Sequence, residues 1–250
     1  MNKQSEQNLF LNKAHDYCAV KNPKLTVICV HGISADWSSF EKALDYLESI
    51  QSLKEIRFIA FDLLGSGKSY KNDELNYDYK EQLTALHNSI EKLEIDTPVV
   101  LVGHSMGTLI VTRYANTYKK TIDELILISP PVYTEKDLSN PAFLEAIKVF
   151  RDVVALKNKK VVEEKPFKNS MEYIVLNKNN YRNLVELKTR AILIYGDKDQ
   201  LIAAQNIPKV VKENDKYLSA IKTVGRHGVS RDKYSKMVAI LEEVLNAKNI

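Results

Sequence analysis

The chain of 250 residues is long enough to bury a sizeable core, as one large α/β domain or two small ones. Hydrophobic residues make up 44% and charged residues 27%, and the net charge of +4 is dispersed rather than gathered into the basic face of a nucleic-acid binder. Cys18 and Cys29 make no disulfide framework, no apolar run approaches the roughly 20 residues that span a bilayer, and Met1–Gln7 lead into no apolar signal segment, so a cytoplasmic protein without nucleic acid or membrane as partner is expected.

Residues 1–24 are read as a short antiparallel hairpin at a sheet edge. Apolar runs then follow at Leu25–Val30, Ile56–Phe61, Val99–Val102, Leu125–Ile128, Ala191–Tyr195 and Ala220–Val224. Most are continuously apolar, as strands buried on both faces of a parallel sheet are, while the more polar last run suits an edge. Between them, Tyr79, Leu83, Leu86, Ile90 and Leu93 mark one helical face, as do Tyr234, Met237, Leu241, Val244 and Leu245 near the end. Strand–helix alternation predicts an open α/β sheet with right-handed crossovers. Residues 131–187 break the rhythm, with helical stretches at 141–156 and about 170–176, and are read as a small helical insertion over the C-terminal edge of the sheet.

Gly67-Lys68-Ser69 ends like a phosphate-binding loop. A Walker A motif needs glycine four residues before Gly67, and Asp62 stands there, putting negative charge where the loop would cradle an anion. Nucleotide binding is therefore not expected. Gly103-His104-Ser105-Met106-Gly107, between an apolar strand and a helical pattern, is a nucleophile elbow. Ser105 needs a sharp turn to project its hydroxyl, and positions 103 and 107 come too close to their surroundings for side chains. The Met106 N–H then points to where an oxyanion would form.

Serine needs a base, and the base needs a carboxylate. Of the histidines, His87 falls off its helix's apolar stripe and is expected in solvent, and the His104 side chain should point away from the site. His15 lies in the uncertain N-terminal segment. His31 follows the first buried strand. His227 follows the last strand, at the sheet edge where α/β sites are built, and is the candidate base. Asp197 and Asp199 both follow the strand at 191–195, and either gives the order serine, acid, base.

These motifs together resemble the α/β-hydrolase fold over nearly the whole chain. His31-Gly32 is similar to the family's His-Gly oxyanion loop, which implies an Ile33 N–H donor. Asp62–Ser69 is similar to its Asp-x-x-Gly-x-Gly-x-Ser loop, which makes Lys68 an exposed loop lysine. Gly196–Asp199 is similar to its Gly-x-x-Asp, which implies Asp199 rather than Asp197 as the acid. The resemblance implies a mostly parallel central sheet with helices on both faces. It places an α/β-hydrolase core at 1–130 and 188–250 and a helical cap at 131–187. Thr108 departs from it, standing where many relatives have glycine and where it could crowd helix against strand.

The expectation is a serine carboxylesterase acting through Ser105, His227, Asp199 and an acyl-enzyme, with Ile33 and Met106 as oxyanion donors and neither metal nor cofactor. Trp37, Phe143, Ile147, Phe150 and Met171 are candidates for the substrate pocket, with Val154 beside them, and the small cap favours short to medium acyl chains. The partner is a small-molecule ester and the assembly a monomer or homodimer. The same residues would serve a thioesterase, lactonase, amidase or C–C bond hydrolase, and a non-catalytic small-molecule receptor on this scaffold is the alternative from another class.

Overall fold

The apolar runs form the interior of a seven-stranded sheet with strand order β1-β3-β2-β4-β5-β6-β7. The structure, a computed structural model, describes residues 9–118, 122–157 and 161–247. The strands are β1 Asn12–Tyr17, β2 Leu25–Val30, β3 Ile56–Asp62, β4 Val99–His104, β5 Glu124–Ile128, β6 Arg190–Gly196 and β7 Leu218–Thr223. Every neighbouring pair is parallel except β1 with β3.

Every residue of β2, β4 and β5 is buried because helices cover both faces. Ile28, Val30, Leu101, Leu125 and Leu127 point into one core, with α2 (Tyr79–Glu91) and α3 (Met106–Thr117). Val27, Cys29, Val102, Ile126 and Ile128 point into the other, with α1 (Glu41–Glu48) and the C-terminal helix Arg231–Ala247. Each fully buried Leu or Ile contributes about 1.5–3 kcal/mol, so these faces fix the strand register. The α2 helix starts where the Asp78 side chain accepts the Glu81 N–H.

The N-terminal segment is not a hairpin. The partner of β1 is the distant β3, in antiparallel register from Asn12 opposite Asp62 to Tyr17 opposite Phe58. Arg57 clamps that edge, donating from Nε and Nη2 to the two Asp16 carboxylate oxygens at 2.8 Å each. At the other edge, β7 starts two residues before the predicted strand and is buried only at its ends, Leu218 and Thr223, where only β6 is beside it.

Between β5 and β6 the chain forms α4 (Glu135–Leu138), α5 (Pro141–Lys157), α6 (Glu164–Ser170) and α7 (Asn180–Val185), with a π turn over Met171–Val175. The helix expected at 170–176 is thus an earlier α-helix that ends in a wider turn, marked by the Leu176 N–H donating to the Met171 carbonyl at 2.9 Å. Helix α9 is Arg231–Ala247, after α8 at Ile207–Glu213.

Candidate active site

Ser105 sits between β4 and α3 with φ 51° and ψ −120°, a conformation that L residues rarely adopt. A Cβ on Gly103 would lie 2.6 Å from the Thr108 backbone, and one on Gly107 would lie 2.1 Å from the Val30 carbonyl. Only glycine at both positions lets α3 press this closely on the strands. Thr108 fits without crowding, because its hydroxyl turns onto the Ser105 carbonyl at 2.6 Å.

His227, in the loop between β7 and α9, places Nε2 2.8 Å from the Ser105 hydroxyl. Its other ring nitrogen, Nδ1, lies 3.1 and 3.0 Å from the two Asp199 carboxylate oxygens. Asp199 also accepts the Leu201 N–H at 3.1 Å. Burial opposes the Asp199 charge, but His227, Leu201 and the Ser129 hydroxyl outweigh it and hold its pKa below the usual carboxylate value. That ionised carboxylate keeps the proton on His227 Nδ1 and leaves Nε2 free to accept. Asp197 is exposed and instead accepts the Gly225 N–H at 3.0 Å. The loops carrying Asp199 and His227 pack so closely that a Cβ on Gly196 would lie 2.2 Å from the Gly225 carbonyl.

His31 is fully buried. Its Nε2 accepts the Leu63 N–H at 2.9 Å, so its proton lies on Nδ1, which donates to the Gly32 carbonyl at 2.7 Å. Burial lowers its pKa and keeps it neutral. It thereby ties the loop carrying Ile33 to the end of β3. Among the described residues, neither the Ile33 nor the Met106 N–H meets a protein acceptor. The Asp62 carboxylate accepts the N–H groups of Trp37 and Lys68 at 3.0 Å each. A Cβ on Gly67 would lie 2.4 Å from that carboxylate, and Lys68 is exposed, so this loop wraps its own acid rather than a phosphate.

Two histidines depart from expectation. His104 does not point away. Its Nε2 donates to the His227 carbonyl at 2.9 Å, while burial, and then the nearby His227, lower its pKa to about 3. A buried ring finds that carbonyl because β4 ends directly beneath the His227 loop. His87 is not in solvent but stacks on Tyr118 at 4.0 Å, with Nδ1 3.2 Å from the Tyr114 hydroxyl. Tyr114 on α3 and Tyr118 just past its end draw it in.

A cavity of about 70 Å³ opens over Ser105 and His227. Of the expected pocket residues, Ile147 and Met171 line it. Phe143 instead packs edge-on against Tyr133 at 5.0 Å, and Trp37 stacks on His15 at 5.5 Å, both outside the lining. The Phe150 and Val154 side chains lie outside the described residues. Ile33 and His104 also line it, and Pro131, Tyr133, Val175 and Leu201, not singled out from the sequence, complete the wall. The rule that located His227 would have found the first two, since Pro131 and Tyr133 follow the C-terminal end of β5. A larger cleft of about 470 Å³ lies at the far end of the sheet, beside Glu94–Val99 and Asp123, and its lining holds no histidine or serine. Among the described residues, no cluster of His, Cys, Asp or Glu has the form of a metal site.

A family model described as alpha/beta hydrolase fold matches residues 26–155. This chain belongs to the α/β-hydrolase family. Relatives include the probable lysophospholipase BODYGUARD 1 of Arabidopsis thaliana, 32% identical over 133 residues, which cover 52% of this chain and 27% of that protein. Lipase 1 of Psychrobacter immobilis is 24% identical over 214 residues, covering 74% of this chain and 66% of that one. The chain thus spans only about a quarter of the length of the first of these relatives. The esterase EaEST from Exiguobacterium antarcticum superposes with a TM-score of 0.70 over 95% of this chain and 99% of that one, at 19% identity. Members of the family differ in chemistry, so the reaction must be argued from the residues at the site.

Proposed function

We propose that this protein is a serine hydrolase that cleaves small carboxylic esters. The observation that carries the reading is the position of His227, with Nε2 2.8 Å from the Ser105 hydroxyl and Nδ1 on Asp199. That is hydrogen-bond reach for a general base whose tautomer is fixed from behind.

In the proposed reaction, Ser105 Oγ attacks the ester carbonyl as His227 Nε2 takes its proton. Asp199 stabilises the imidazolium that forms. The carbonyl oxygen becomes an oxyanion held by the Ile33 and Met106 N–H groups, each contributing about 2.7–4 kcal/mol by comparison with measured oxyanion donors. His227 returns the proton to the leaving alcohol, and an acyl-Ser105 remains. Water then attacks the acyl carbon, giving a proton to His227, and the acid departs as Ser105 recovers its hydrogen. The residues at 131–187 act as a cap, since Ile147, Met171 and Val175 face the nucleophile. A cavity of about 70 Å³ walled by apolar side chains suits a short acyl chain, with longer ones admitted as the cap shifts.

Hydrolysis of p-nitrophenyl esters from C2 to C12 by wild type and Ser105→Ala tests this reading. Turnover by the wild type alone, highest at the short end, is the expected result. Equal turnover by the two proteins, or none by a folded wild type, refutes it.

A further inference from the structure

Lys233, in the first turn of α9, is fully buried. Lysine is almost never buried without partners, because removing its ammonium from water is costly. Here the partners number three. Nζ donates to the Ser129 hydroxyl at 2.7 Å, to the Gly228 carbonyl at 3.0 Å and to the Arg226 carbonyl. An ammonium has three protons, so all of its donors are used, and a neutral amine would leave one acceptor unmet.

The identity of those partners is informative. Arg226 and Gly228 are the residues on either side of His227. Their carbonyls converge on one cation, which pins the loop on both flanks of the ring. Ser129 lies just past β5 with φ 51°, an unusual backbone for serine, and its N–H donates to the Ile194 carbonyl at 2.8 Å. Its Oγ accepts from Lys233, which leaves the hydroxyl proton for Asp199, and Ser129 does stabilise that carboxylate. One cation therefore reaches both the loop of the base and, through one hydroxyl, the acid. The titratable groups that face it are Asp199, which favours its charge, and His104, which its charge disfavours.

We propose that Lys233 is a positioning residue that acts with Ser129 to hold His227 and Asp199 in register with Ser105. This rests on the serine-hydrolase reading above. Lys233 touches no substrate. It sets the ring's place through the two flanking carbonyls and strengthens the Ser129–Asp199 contact by polarising the hydroxyl.

The test compares wild type, Lys233→Met, Ser129→Ala and the double variant on p-nitrophenyl acetate, with melting temperature and the rate of labelling by a fluorophosphonate. Misplacing a reacting group by about 1 Å can cost of order 10²-fold, so Lys233→Met is expected to lower kcat by about that factor and leave KM within about twofold. The loss falls on kcat and on the labelling rate while KM holds, a split that a merely structural lysine would not produce. In the double variant the loss is no greater than for Lys233→Met alone, because Ser129 works through the same cation. Should Lys233→Met fail to fold, Ser129→Ala decides, with a smaller drop in kcat and in labelling rate expected. Folded variants with unchanged kcat and labelling rate overturn the proposal, and multiplicative losses overturn the coupling to Ser129. A wild type inert to both the ester and the fluorophosphonate refutes the hydrolase reading and takes this one with it.

Discussion

Replacing Asp199 by asparagine changes one atom and inverts a hydrogen bond. The carboxylate accepts from His227 Nδ1 and from the Leu201 N–H. Asparagine keeps one oxygen, which the Leu201 N–H claims, and turns its NH2 toward His227. The imidazole must then accept at Nδ1, so its proton moves to Nε2, 2.8 Å from the Ser105 hydroxyl. A protonated Nε2 cannot take the serine proton. In a serine protease the same exchange lowers kcat by about 10⁴-fold, and four decades at about 1.36 kcal/mol each amount to about 5.4 kcal/mol of lost transition-state stabilisation. Asp199 does not line the cavity, so KM is expected to change little. The assay is steady-state hydrolysis of p-nitrophenyl acetate by Asp199→Asn and Asp197→Asn beside wild type. Asp197 is exposed and bonded to Gly225, so its variant should keep kcat within about twofold, as most surface changes do. A loss of less than about tenfold in a folded Asp199→Asn protein would refute the tautomer reasoning. A larger loss in Asp197→Asn would move the acid to that residue.

The other predictions concern packing, pH and the pocket. Gly107→Ala drives a Cβ to 2.1 Å from the Val30 carbonyl, and a stability loss of about 3 kcal/mol or more is expected in urea melts. His31 and His104 both have lowered pKa values in the fold, so the unfolded chain binds protons that the native state refuses. Stability is then complete above about pH 6.5 and falls below it by up to about 2.7 kcal/mol per pH unit for the pair, and a flat profile from pH 7 to 5 would contradict this. Asp16 is held at about 2 by its hydrogen bond to Arg57, so its contribution is present above about pH 4 and is lost as pH falls through 2. The pair is partly exposed, and Asp16→Asn should cost only about 1 kcal/mol in urea melts at pH 7, with β1 as the first strand to lose hydrogen-exchange protection. Ile147→Ala enlarges the cavity wall and should shift the preferred p-nitrophenyl ester to longer chains without lowering kcat for the acetate.

The interior strands were legible because burial on both faces leaves continuous apolar runs, and LTVICV and VVLV can hardly be anything else. The edges were harder. Strand β1, NKAHDY, carries little apolar signal, and its partner lies some forty residues away, so local pattern suggested a hairpin that the sheet does not contain. At the site, Ser105 was singled out by its glycine spacing and His227 by its place after the last strand, while only the family resemblance separated Asp199 from Asp197. Residues that act by burial escaped. Lys233 stands on a polar-looking first turn of α9, and nothing local distinguishes a lysine cradled by three acceptors from one in solvent. His104 was misread for the same reason, because its acceptor, the His227 carbonyl, comes from 123 positions away. The pocket fared worst, as aromatic residues in a helical pattern show that something is covered but not what covers it.

Ser105 and His227 stand on ground of unequal firmness. Ser105 follows β4, which has β2 on one side and β5 on the other, while His227 follows β7, which has only β6 beside it. Local unfolding begins where neighbours are fewest. On warming or in mild denaturant, the rim carrying His227 should therefore come away while the centre carrying Ser105 still holds its shape. Inactivation would then run ahead of global melting, and catalytic assays would report the health of the last strand and its helix rather than that of the molecule.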